Sequence, residues 1–185
     1  MSIVDQLKAM DCVSEFENRP INDAVLSAIV GAAAWAPSAG DAQPWEIIVI
    51  RGRERKLAFV NTLLDSHLRP NVEIHERQDW ILQAPVILMM CLDLTRAKAR
   101  FGEIGAELFG IQDTGAAIQN IRLVALEHGV KSCMIRELDR CRLAELLELP
   151  AHVKPLIAIA FGYSHVDRKR KPGLPLEDYM HLEKW

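Results

Sequence analysis

The sequence predicts an α+β domain in which helices flank a central mixed sheet on both faces. Three observations predict it. Four segments, "WEIIVIRG", "PVILMMCLDL", "VKSCMIREL" and "VKPLIAIAFGYS", read as almost unbroken apolar runs, and strands of that kind are covered on both sides. The stretches between them repeat apolar residues at helical spacing. The 185 residues, half hydrophobic and a quarter charged, suit one core rather than two.

Taken in order, a short amphipathic start carries Ile3, Leu7 and Met10 on one face. Asn22 caps a helix whose apolar stripe is Val25, Leu26, Ile29, Val30 and Ala33. Pro37 ends it, because the residue before a proline is pushed out of the α region. After the first strand, "RERKLAFVNTLLDSHL" and "NVEIHERQDWILQ" both show helical spacing. After the second comes a long helix, "IGAELFGIQDTGAAIQNIRLVALEHG", with Ile111, Ile118, Ile121 and Ala125 inward and Gly129 closing it. A short helix capped by Asp139 separates the third and fourth strands. The chain beyond Ser164 is charged and proline-bearing, yet it ends in Tyr179, Leu182 and Trp185. Such residues pack on something, and a second subunit is the natural candidate.

Several function classes are excluded. A net charge of −3 gives no general reason to expect nucleic acid or an anionic membrane as partner. The apolar run "APVILMMCL" falls short of the ~20 residues of a spanning helix. "MSIVDQLKAMDCV" lacks the pattern of an export signal, so a cytoplasmic location is expected. Cys12, Cys91, Cys133 and Cys141 stand singly and read as reduced, mostly buried thiols. The six His form no ligand pattern, so no metal site is expected. "PSAG" is no nucleophile elbow: Ala36 stands two before Ser38, and a helix precedes it where a strand is required. The glycines of "GEIGAELFG" are spaced wrongly for a dinucleotide fingerprint and read as a helix that another element approaches closely.

One stretch resists a bland reading. "WAPSAGDAQPWEIIVI" crowds Pro37, Ser38, Gly40, Asp41, Gln43 and Pro44 between two Trp residues. It is either a tight connector or a cradle for something flat with a polar edge.

The order of "P-I-x-x-x-x-L…A-x-x-A-P-S-A-G-x-x-Q-P-W" at 20–45, "QAPVILMMCLD", "DTGAAIQNIRLVALEHGVKS", "FGYS" and "LPLEDYMHLEKW" resembles the nitroreductase family of FMN-dependent oxidoreductases. The pieces keep family order and cover nearly the whole chain. The resemblance implies a nitroreductase-like single domain over 1–185, in an intertwined homodimer whose tails, 165–185 here, exchange between subunits. It implies two FMN sites built from both subunits, NAD(P)H as electron donor, and a small acceptor such as a nitroaromatic or quinone. It assigns flavin binding to Pro37, Ser38, Ala39, Gly40, Asp41 and Gln43, with Gly129, Lys131 and Ser132 at the strand end. No side chain is assigned as catalytic acid or base, because the flavin carries the chemistry.

Three departures qualify that assignment. The family's Arg-Arg-Ser-x-Arg phosphate element is matched by "MDCVSE", which offers Ser14 but no arginine, with Arg19 out of register. The family's Asn before Gln-Pro-Trp is Asp41, which accepts but cannot donate, and which disfavours an anionic reduced flavin. The Gly-Leu-Gly-Ser/Thr turn reads Gly129-Val130-Lys131-Ser132. In the tail, Arg170 and Lys171 are candidates for the missing phosphate charge. The alternative these departures raise is a non-enzymatic descendant of the fold that binds another ligand, or no flavin.

Overall fold

Local chemistry accounts for most boundaries. The computed structural model of the protein describes residues 2–63, 80–166 and 173–185. Helix α1 (Ile3–Ala9) opens on Ser2, whose hydroxyl accepts the Asp5 N–H while the Asp5 carboxylate accepts the Ser2 N–H. Asn22 caps α2 (Asp23–Gly31) through the Val25 N–H, at 2.8 Å. A 3₁₀ turn, Ala32–Trp35, carries the chain towards Pro37. Strand β1 (Trp45–Ile50), α3 (Arg53–Val60) and β2 (Val86–Asp93) follow. Next come α4 (Leu94–Phe101), a π turn at Gly105–Phe109 and α5 (Gly110–Glu127). Strand β3 (Lys131–Ile135), α6 (Arg140–Leu146) and β4 (Val153–Gly162) complete the sheet region.

The sheet order is β1-β2-β4-β3, and every neighbouring pair is antiparallel. Among the described residues, the parallel part of the expected mixed sheet is limited to isolated bridging of Cys12 with Ser132. Strand periodicity sorts the central side chains between two cores. Val86, Leu88 and Met90 of β2, with Ile159 and Phe161 of β4, pack against α2 and α5. Ile87, Met89 and Cys91, with Ala158 and Ala160, face α3 and α6. All of these residues are at most 1 % exposed. Truncating Leu88 to Ala is thus a cavity mutation costing about 2–5 kcal/mol. Helices on both faces of the sheet are therefore confirmed.

Several details differ from the sequence reading. Helix α4 follows β2 at once, where no helix was expected. Ile111 points outward, at 49 % exposure. Cys12 and Cys133 form a disulfide instead of two thiols; their Cα atoms are brought to 4.5 Å by the bridging of the N-terminal segment onto β3. Cys91 matches the expectation of a buried thiol, and burial, with a contribution from Glu46, pushes it up to about 12. The expected close approach at the glycines does occur: a Cβ on Gly105 would lie 2.1 Å from the Ala97 carbonyl oxygen. Of the expected helices at 53–68 and 71–83, residues 53–60 and 80–83 are helical. Residues 64–79 lie outside the described range. No described helix is long and apolar enough to cross a membrane.

Candidate functional site

The loop between Ala36 and β1 is held by its own polar groups. Ser38 Oγ accepts the Gln43 N–H at 3.0 Å, and Ser38 O accepts the Asp41 N–H at 3.0 Å. Gln43 Nε2 donates to Asp41 Oδ1 at 3.1 Å, so the two side chains assigned to a ligand's polar edge also bind each other. Gly40, Asp41 and Gln43 have φ of 61°, 57° and 44°, a left-handed bend that only the glycine adopts without strain. A Cβ on Gly40 would meet Arg100 Cδ at 2.5 Å, so here the absent side chain makes room for α4. Pro37 and Gly40 are exposed, and Ala39 is half-buried.

Residues that the sequence reading passed over brace this loop from two sides. The Arg96 guanidinium on α4 donates to Gln43 O at 2.8 Å and to Trp45 O at 3.1 Å, and it also pairs with Glu46. Arg96 is itself oriented by Asp93, 3.0 Å from Nε. Burial raises the Asp93 carboxyl, but the Arg96 and Thr95 donors outweigh it and hold the group below its ordinary value. Asp113 on α5 accepts the Ala39 N–H at 3.0 Å. The available signal was Asp93 itself, an N-cap residue directly before a helical run.

A groove with a volume near 420 Å³ runs along the other side of α5. Ile111, Thr114, Gly115, Ile118, Gln119 and Arg122 line it from the helix. Met134, Arg136, Arg140, Leu156 and Ile157 line it from the sheet side. From Ile111 to Arg122 the helix rises about 16 Å. At 100° per residue, Asp113 lies roughly opposite the groove-lining face. One chain therefore carries the loop and the groove on opposite sides of the same helix.

Of the other expected site residues, Ser132 is tied to the groove through Arg122. Ser132 is buried, and its Oγ accepts from Arg122 Nε at 3.1 Å. Its carbonyl accepts the Val13 N–H, and Gln119 Nε2 reaches Met10 Sδ at 3.5 Å. The segment at 10–15, including half-buried Ser14, is thus tied to Ser132 of β3 and Gln119 of α5. Gly129 adopts φ 69° in the turn after α5. Lys131 Nζ donates to the Val166 carbonyl, so it holds the start of the tail. Arg19 stacks on Tyr163, 3.8 Å from the ring centroid. Arg170 and Lys171 lie outside the described residues. The structure therefore brings Ser132 and Arg122 together, but it keeps both apart from Ser38, Asp41 and Gln43 of the same chain. Arg122, Arg136 and Arg140 were not singled out from the sequence.

Comparison with known proteins supplies the family and supports the fold. The model of the nitroreductase family matches residues 11–163. The chain is 28 % identical over 194 residues to the Bacillus subtilis FMN reductase [NAD(P)H], with 98 % of this chain and 73 % of that protein covered. It is 28 % identical over 176 residues to the oxygen-insensitive NADPH nitroreductase of Salmonella typhimurium, covering 91 % and 68 %. A nitroreductase family protein from Streptococcus pneumoniae superposes with a TM-score of 0.84 at 18 % identity, over 98 % of this chain and 100 % of that one. The chain belongs to the nitroreductase family.

Proposed function

We propose that the protein is an FMN-dependent oxidoreductase that takes electrons from NADH or NADPH and delivers them to a small acceptor, such as a nitroaromatic or a quinone. When bound, FMN accepts hydride at N5 from the reduced nicotinamide and yields the electrons to a second substrate. The observation that carries the reading is the donor set of the α5 groove in a chain of this family. Ile118, Met134, Leu156 and Ile157 offer apolar walls to a flat ring, and the groove's volume falls within the range of cofactor sites. Arg122 binds Ser132, the residue that also holds the segment lacking the family's arginines, and it supplies a guanidinium suited to a phosphate. These residues fit the group.

The second half of each site comes from another copy. The loop faces away from its own groove, and apolar residues Phe101, Ile104, Leu108 and Ile111 stand 37–49 % exposed on one side of the segment entering α5. Tyr179, Leu182 and Trp185 of the tail are 61–98 % exposed in the single chain. A homodimer in which residues 165–185 of one copy pack on the other would cover both surfaces. The partner's Ser38 hydroxyl and Gln43 amide then orient the ring's polar edge, and the closed interface excludes water. The protein works as one domain, with no nucleic acid or membrane among its partners.

The test is a visible spectrum of the purified protein with FMN, followed by NADH or NADPH. Flavin bands that stay with the protein through gel filtration, bleach on reduction and return with a quinone are expected. A colourless protein that ignores FMN would replace this reading with a binding module lacking flavin.

A further inference from the structure

The groove is cationic at both ends. Arg122 stands beside Ser132, while Arg136 follows the end of β3 and Arg140 begins α6. Four residue steps of extended chain lead from Ser132 to Arg136, about 13 Å. The second positive end is therefore distinct from the one assigned to the flavin phosphate. No Asp or Glu lines the groove. The contact found for the Arg136 guanidinium is Met134 Sδ, at 3.8 Å, and no ion pair to a described carboxylate occurs at Arg136 or Arg140. The nearby Asp139 is occupied as the α6 cap, accepting from Cys141 and Arg142 N–H at 3.1 Å each. Arg140 also sits in the first turn of a helix that has no acid there, where a cation is disfavoured. Among the described residues no ion pair offsets that placement, and rules broken locally are commonest at functional sites.

We propose that Arg136 and Arg140 select ligands with an anionic substituent, a carboxylate or phosphate carried beside the flat part of the molecule. The ligand so selected is the electron acceptor, so the substrate class is an aromatic acid and not its neutral analogue. The inference rests on the flavin reading for its catalytic sense, but the binding preference can be measured without turnover.

The experiment compares 4-nitrobenzoate with nitrobenzene, as binding by calorimetry to the FMN-loaded dimer and as kcat/KM. The wild type should favour the acid by about tenfold or more, with the preference shrinking as salt rises. Arg136→Gln/Arg140→Gln should bring both ratios close to one, and Arg136→Lys/Arg140→Lys should restore part of the preference. Equal binding of acid and neutral compound by a flavin-loaded wild type would overturn the inference and leave the flavin reading standing. So would a Gln pair that changes the NADPH-over-NADH preference but not the acid preference, since the charge would then serve the dinucleotide's phosphate. A protein that holds no FMN and shows no acid preference in calorimetry would overturn both.

Discussion

In the loop at residues 37–43, each bend is tied to a named partner: Ser38 to Gln43, Asp113 to Ala39, and Arg96 to the Gln43 and Trp45 carbonyls. Along the α5 groove, the N-terminal segment is attached to β3 by one backbone hydrogen bond of 3.4 Å and one disulfide. The loop keeps the family's pattern except at Asp41 and sets its shape through backbone geometry. The groove carries charge on the long side chains of Arg122, Arg136 and Arg140, and the segment at 10–15 lacks the family's arginines. On the proposed reading, shape is retained where a ring edge is met, while the charge for the phosphate comes from Arg122 on α5 and not from the segment at 10–15.

The largest expected effect separates the two halves by redox state. The Cys12–Cys133 bond closes a loop of 121 residues, and releasing it should lower stability by about 4–5 kcal/mol in the chain-entropy estimate. A reducing agent should lower the urea midpoint and expose the Val13 amide to exchange, while the Ala39 and Gln43 amides stay protected. A midpoint indifferent to reductant would mean that the bond constrains nothing.

Next in size is Arg96→Ala, which removes charged donors from two loop carbonyls and frees Asp93 from its partner; about 2–3 kcal/mol should be lost. Here the pattern reverses: Gln43 loses protection and Val13 does not. Equal loosening at both amides would show that the halves are one cooperative unit. Gly40→Ala should cost about 1–2 kcal/mol through its φ of 61°, with Arg100 displaced. A substitution without effect on the thermal midpoint would remove the strain argument.

The smallest effect depends on pH. Asp93 has a depressed folded-state value, so its contribution of about 1 kcal/mol as cap and partner is complete above the unfolded carboxylate range. It is lost as pH falls through the lower folded value. The stability gap between the wild type and Asp93→Ala should therefore close in acid. A gap that is constant from pH 7 to pH 3 would assign the effect to packing.

Much of the fold was legible because strand and helix periodicity survive in any single chain. The "PVILMMCLDL" run alternates its side chains between two cores, and Asn22 and Asp139 act as the caps they resemble. The loop was legible as a site candidate because proline, glycine and small polar residues are rare together. What was not legible depends on contacts distant in sequence. Arg96 reaches 53 residues back to Gln43, and Asp113 reaches 74 back to Ala39. The disulfide joins two cysteines without any recognisable spacing, and Arg122 becomes relevant only once Ser132 folds back beside it.

The most direct test of the account asks whether each site is assembled from the loop of one copy and the groove of another. One variant, Gly40→Val, breaks the loop; a second, Arg122→Glu, breaks the groove. Each homodimer should hold FMN poorly. Their isolated heterodimer contains one doubly broken site and one intact site, so it should bind about one FMN per dimer at wild-type affinity. A heterodimer that binds no better than its parents would place loop and groove of one chain in the same site and contradict the account.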